Sequence, residues 1–325
     1  MRAKLLNVET GAMVIQLNPK DAGMLGIHAG DRVELKSNRV KEITIVNLSA
    51  TIGEGEVGLT KDVADETRIK DGEEVTLTLQ PVPNSIQAIR NRLAGRRLDA
   101  KTAYEVIRDI VEKKLDKEEI VALITSLHYL PLDLEEATNL SFAMVKTGDT
   151  LHLGKKRLFD KHSIGGVPGD KTSLLVVPIV AAAGLTIPKT SSRAITSAAG
   201  TADRAEVLMP VTLDIKEVER VVKKTNGCLV WGGAVHLAPA DDIFIREEYM
   251  LSIDPLLFPS IMSKKKAVGS TDLVLDIPIG ADMKIKSEAD GALLVRDFVS
   301  LGSRMGIRVE AALTTGSQPI GYAVG

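Results

Sequence analysis

The chain has 325 residues, 44% hydrophobic and 26% charged, an ordinary profile for a soluble globular protein of two or three domains. Its net charge of −2 lacks the basic excess of a polyanion-binding surface, so nucleic acid is not an expected partner. The longest apolar run, Leu174 to Leu185, is broken by Pro178 and is too short for a bilayer; no basic-then-apolar leader opens the sequence; and Cys228 stands alone, which removes any intrachain disulfide or cysteine metal cluster. The expectation is a cytoplasmic enzyme without a membrane partner. Four Gln and one Cys fit a heat-adapted source.

Three zones follow along the chain, and together they predict a multi-domain α/β protein. Residues 1–84 are β-rich. Met13 to Leu17, Val33 to Leu35 and Val75 to Leu79 have strand composition. Between the first two, Asn18-Pro19-Lys20-Asp21 reads as an N-cap, a first-turn proline and an acidic third position. The zone resembles a small β-barrel of the cradle-loop type, and Pro81-Val82-Pro83-Asn84 closes it. Residues 85–150 are helical. Asp99, Asp116 and Asp133 are N-cap candidates, the last two with Glu119 and Glu136 placed for a capping box, and Gly148 is an expected C′ stop.

Residues 151–325 alternate glycine-rich turns, helices and short apolar strands such as Leu273 to Ile277 and Ile307 to Ala311. They predict an α/β layer that is incomplete at its C-terminal end, because no closing helix follows Gly316 and Gly321. The segment 255–268 is expected to pack on the helical zone.

The densest chemical signal is Asp160-Lys161-His162-Ser163-Ile164-Gly165-Gly166-Val167-Pro168-Gly169-Asp170-Lys171-Thr172-Ser173. Glycines let the backbone approach a ligand, the lysines bring charge and the hydroxyls bring donors. A buried helix from Leu174 to Ala183 would present its N-terminus to the loop, and together these make an anion site. Walker A spacing is absent, and no strand and acidic ribose ligand frame a dinucleotide fingerprint. The plainer alternative is a flexible surface loop. A second cluster, Thr190 to Asp203, places Gly200-Thr201 before another helix start, with Ser191 and Thr201 able to close on the same anion; its alternative is a Ser/Thr-rich connection.

On these two segments the chain resembles the thymidine and pyrimidine-nucleoside phosphorylase family. That family carries Lys-His-Ser-Thr-Gly-Gly, then Gly-Asp-Lys, then Ser-Gly-Arg and Gly-Gly-Thr-Leu-Asp. The likeness runs from about residue 85 onward, and the β domain in front is similar to that of the archaeal AMP phosphorylases within the family. The resemblance implies that Lys161, Ser163, Ser173, Ser191 and Thr201 hold phosphate and that His162 faces the base. It implies that Gly166, Ser192, Arg193, Ala194, Ile195, Thr196, Ser197 and Thr201 line the nucleotide. Ser260-Ile261-Met262-Ser263-Lys264-Lys265 matches a Ser-Ile-x-x-Lys-Lys helix, which would bring Ser260 and Lys264 to the base. Without that motif, the lysines at 264–266 read as a solvated charge run.

Departures from the pyrimidine pattern point to a nucleotide. Where pyrimidine enzymes carry Leu-Arg-Asp, this chain has Ser252-Ile253-Asp254-Pro255, which makes Asp254 the candidate general acid, with a simple Asp-Pro turn as the alternative. Where they carry Gly-Ser-Gly-Ala-Phe-Met, this chain has Gly280-Ala281-Asp282-Met283-Lys284, a cation suited to a 5′-phosphate. The implied reaction is phosphorolysis of AMP, with CMP and UMP as further candidate substrates; the products would be the free base and ribose 1,5-bisphosphate. The departing base must be protonated, by Asp254 or by its rival His162. No cofactor or metal is called for, and a homodimer or larger homo-oligomer is expected. Competing readings are a pyrimidine-nucleoside phosphorylase, an anthranilate phosphoribosyltransferase-like enzyme (whose acidic diphosphate motif is not found) and a non-catalytic binding or assembly module.

Overall fold

A computed structural model describes residues 1–165, 171–194 and 199–318. The chain is a mixed α/β protein and divides into two compact units, one of 1–90 with 109–120 and one of 91–108 with 121 onward. The helical segment is therefore shared between the units.

In the first unit, β1 (Arg2–Leu5), β2 (Val14–Leu17), α1 (Pro19–Leu25), β3 (Arg32–Lys36), β4 (Lys41–Leu48), β5 (Glu56–Leu59), α2 (Lys61–Thr67) and β6 (Thr76–Leu79) build a six-stranded sheet of order β1-β5-β2-β4-β3-β6. Its two outer strands meet, since Arg2 bridges Glu74 and the Val75 N–H donates to the Met1 carbonyl at 2.9 Å. The sheet thus rolls into a barrel-like form around Ile15, Leu17, Val33, Leu35, Val46, Val57 and Leu59. Closure removes the open edges that would otherwise invite strand pairing. Helix α1 starts as its sequence dictates: Asn18 accepts the Lys20 N–H at 3.0 Å, and Pro19 occupies the first turn. Arg32 Nε donates to the Lys114 carbonyl at 2.9 Å, tying the 109–120 segment to this unit.

Four helices follow: α3 (Asn84–Leu93), α4 (Ala100–Val111), α5 (Lys117–Tyr129) and α6 (Leu134–Lys146). Asp99 and Asp133 cap as expected, accepting the N–H groups of Thr102 and Glu136 at 2.8 Å each. At Asp116 the box is reciprocal, with Glu119 accepting the Asp116 N–H at 3.0 Å and donating its own to Asp116 at 2.9 Å. At Asp133 it is not. Glu136 turns away into a fully buried ion pair with Arg92 at 2.8 Å and also accepts the Leu98 N–H at 2.9 Å. Gly148 is not the expected left-handed stop. Thr147 caps α6, and Gly148 is needed for close approach: a Cβ there would lie 2.7 Å from the Ala238 nitrogen and 2.9 Å from the His236 oxygen.

The second unit continues with β7 (Phe159–Ser163), α7 (Thr172–Ala182), β8 (Ile187–Ser191), α8 (Thr201–Glu206), α9 (Ile215–Thr225), β9 (Gly227–Trp231), α10 (Pro239–Leu251), α11 (Leu257–Val268), β10 (Asp272–Ile279), α12 (Glu288–Met305) and β11 (Arg308–Thr315). Its paired strands among the described residues are all parallel, in the orders β11-β10-β7 and β8-β9. The Phe159 N–H donates to the Thr186 carbonyl at 2.9 Å and joins the two sheets. Strand–helix–strand connections produce this arrangement, and α11 and α12 both pack on α6. Helix α7 departs from expectation. It is apolar all round but not buried, with Leu175 and Ile179 56% and 66% exposed and only Ser173 and Val177 fully covered. No helix among the described residues is long and apolar enough to cross a membrane.

Candidate active site

The carboxyl ends of parallel strands are where α/β folds place ligands. The end of β7 carries His162 and Ser163, and the end of β8 carries Ser191. Ser163 Oγ is buried and has no hydrogen-bond partner among the described residues. Such an orphaned hydroxyl is costly unless something satisfies it, and an oxyanion would do so. Ser173 is buried in the first turn of α7 and Thr201 opens α8, so both stand at helix N-termini.

Beneath them lies a buried charge cluster. Lys161 Nζ is 3.8 Å from Asp276 Oδ2 on β10; burial pushes its ammonium down while Asp276 pulls it back up. Asp160 uses both oxygens, Oδ1 accepting the Lys161 N–H at 2.7 Å and Oδ2 accepting Lys265 Nζ at 2.7 Å. Lys189, buried on β8, donates to the Thr190 carbonyl. Burial, and then the charge of Lys265, push Lys189 down to about 7. His162 lies well below the ordinary imidazole range, first from desolvation and then from Lys265, Lys189, Lys161 and Lys264. It is therefore neutral at pH 7.

The segment after β8 is held by Asp203. Its Oδ2 accepts the N–H groups of Ala194 and Gly200 at 2.7 and 2.8 Å. The Ser192 carbonyl accepts the Ala202 N–H at 3.1 Å, and a Cβ on Gly200 would overlap the Arg193 carbonyl. Arg193 forks onto Glu206 at 2.6 and 2.8 Å, reaches Asp203 at 3.0 Å and lies 4.9 Å from the Trp231 ring centre. Its guanidinium thus organises the loop. Gly166, Ile195, Thr196 and Ser197 lie outside the described residues.

Ser260 and Lys264 are four apart on α11 and share a face. Lys264 pairs with Asp241, a fully buried carboxylate on α10. Burial lowers the Lys264 ammonium, but Asp241 and Asp242 outweigh this and leave it raised. With Lys265 also buried, the 264–266 run is not a solvated face. Asp254 sits in the turn between α10 and α11, exposed, with Lys284 Nζ 2.8 Å from its Oδ2. Glu248 lies behind that turn. Its carboxyl is pushed up to about 8 by burial, then by Asp254, and Asp241 adds to this. These mutual fields run from His162 through Lys264 and Asp241 to Glu248 and Asp254, so these charged groups lie near one another.

The sequence reading missed Asp160, Lys189, Asp241 and Glu248. Lys189 is a lone charge in an apolar stretch, a pattern that signals burial but names no partner; Asp160, Asp241 and Glu248 each adjoin another charged residue and so read locally as surface positions. The early acidic position of Asp203 was visible as a helix-start signal; its grip on the preceding loop was not.

Residues 155–323 match the family described as "Glycosyl transferase family, a/b domain". Curated relatives named AMP phosphorylase match along the whole chain: 47% identity to that of Pyrococcus furiosus, 46% to that of Thermofilum pendens and 48% to that of Thermococcus sibiricus. The chain spans 64–65% of the length of these relatives. Among solved structures, anthranilate phosphoribosyltransferase from Thermus thermophilus superposes with a TM-score of 0.60 at 19% identity. That match covers 72% of this chain and 67% of the other, and it establishes a shared fold.

Proposed function

We propose a reaction from one premise: the chain belongs to the glycosyl transferase family. The reaction is phosphorolysis of a nucleoside 5′-monophosphate, with AMP and phosphate giving adenine and ribose 1,5-bisphosphate. The observation that carries it is the Asp254–Lys284 pair, a carboxyl and an ammonium 2.8 Å apart, in a chain whose relatives are named AMP phosphorylase. An acid for a departing purine and a cation for a 5′-phosphate are the two groups this reaction needs beyond an anion site.

Phosphate binds at Lys161, Ser163, Ser173, Ser191 and Thr201, and the orphaned Ser163 hydroxyl supports that reading. Fixing phosphate beneath the sugar turns a two-body encounter into a positioned attack. As the glycosidic bond breaks, the anomeric carbon gains positive charge and the base gains negative charge. Asp254 protonates a purine ring nitrogen, while Ser260 and Lys264 orient the base. Neutral His162 acts as a hydrogen-bonding wall, since an imidazole held below its ordinary range has no acidic proton to give at pH 7. The proposal extends to CMP and UMP as substrates, to a homodimer or larger assembly and to the cytoplasm.

The deciding experiment incubates this chain with AMP, CMP, UMP and adenosine, each with and without phosphate, and follows base release. Phosphate-dependent adenine release from AMP well above that from adenosine is expected. Equal rates on AMP and adenosine would defeat the nucleotide reading, and no release at all would favour a non-catalytic module.

A further inference from the structure

We propose that Glu248 is a positioning residue that fixes the Asp254-Pro255 turn, and with it the acid that protonates the departing base. This rests on the reading of Asp254 given above. Helix α10 carries three buried acids, Asp241, Glu247 and Glu248, and the first and last are seven residues apart, which two helical turns bring to the same side. Asp241 fixes Lys264 of α11. Glu248 grips the connection between the two helices. Its backbone carbonyl accepts the Ile253 N–H at 3.2 Å, and its Oε1 accepts the Leu256 N–H at 3.1 Å. One residue therefore holds the chain on both sides of Asp254-Pro255.

The grip matters because Leu256 is fully buried, so its N–H has no recourse to water. Asp254 itself is exposed and meets Lys284, a flexible side chain. The position of the Asp254 carboxyl is thus set by its backbone neighbours. The charges facing Glu248 are Asp254 from the turn, Asp241 from its own helix and Lys284 from the loop after β10. Burial, and then the neighbouring acids, push Glu248 up to about 8, so it holds the turn largely uncharged at neutral pH. A glutamine would do the same.

The test compares Glu248→Ala and Glu248→Gln in the full chain by steady-state kinetics and by hydrogen exchange of the segment 252–258. Misplacing a reacting group by an ångström can cost about 10²-fold. Glu248→Ala should therefore lower kcat on AMP by about 10- to 100-fold, leave KM for phosphate within about threefold and speed exchange in the turn. Glu248→Gln should stay within about threefold of the parent in kcat and keep the slow exchange. The proposal is overturned if the alanine variant keeps the parent's kcat, if glutamine fails as badly as alanine, or if kcat and phosphate KM deteriorate together. A parent chain that releases no base from AMP would instead defeat the reaction. The exchange comparison would then still decide whether Glu248 holds the turn, unchanged exchange in the alanine variant refuting it.

Discussion

Lys284 Nζ lies 2.8 Å from Asp254 Oδ2, joining the loop after β10 to the turn that follows α10. Both side chains are more than 40% exposed, so the pair adds little to stability. Its members are held near each other yet easily parted, which suits the roles proposed for them at different ends of one substrate.

Replacing Lys284 by alanine should raise KM for AMP by about 10- to 100-fold, the scale of losing a charged hydrogen bond, with adenosine kinetics and thermal midpoint nearly unchanged. Steady-state kinetics on both substrates check this. An equal loss on adenosine would remove the 5′-phosphate from the account.

Asp254→Asn keeps the shape and removes the acidic group. We expect kcat on AMP to fall by about 10²- to 10⁴-fold while phosphate binding holds. Single-turnover adenine release, with phosphate affinity measured separately, tests the split. A substitution that harms phosphate binding equally would make Asp254 a simple turn residue.

Lys189 supplies a pH prediction. Its proton affinity in the folded chain is depressed from 10.5 to about 7. Between those values the unfolded chain binds the proton and the folded chain does not, so this group makes stability rise with pH across that window. The slope is at most about 1.4 kcal/mol per pH unit. Lys189→Met should flatten the rise, read as urea midpoints from pH 7 to 10. Parallel profiles for the two proteins would contradict the assignment.

Arg92 and Glu136 are both fully buried, and stripping one leaves the other charge uncompensated. Glu136→Ala should cost about 3–5 kcal/mol, visible in chemical denaturation. A joint replacement of Arg92 and Glu136 by apolar residues should recover much of that loss. If the single change is neutral, water must reach the pair.

Local signals in the sequence carried far where one segment decides the outcome. Asn18, Asp99, Asp116 and Asp133 all cap their helices, and the strands at Leu273 and Ile307 pair in parallel. Prediction weakened where two distant segments compete for one group. Glu136 had every feature of a capping-box partner, but a buried arginine 44 residues away outcompeted the local N–H. Gly148 looked like a left-handed stop, whereas its reason is the backbone of Ala238 pressing on it. Helix α7 read as buried because its residues are almost all apolar, and composition alone does not say whether a neighbour covers it. The glycine loops suggested an anion site; Asp203 showed as a helix-start acid, but the backbone groups that Asp160 and Asp203 hold, on β7 and in the loop before α8, are set by the fold and not announced by their sequence neighbours.

Asp160 behaves as a rivet. One of its oxygens grips the backbone of β7 just before His162 and Ser163, and the other grips α11 one residue past Lys264. If α11 holds the base and the end of β7 holds phosphate as proposed, their supports are tied together through this one side chain. The two substrates would then sense each other through a single carboxylate, and cutting that rivet should make their affinities independent before it makes them weak.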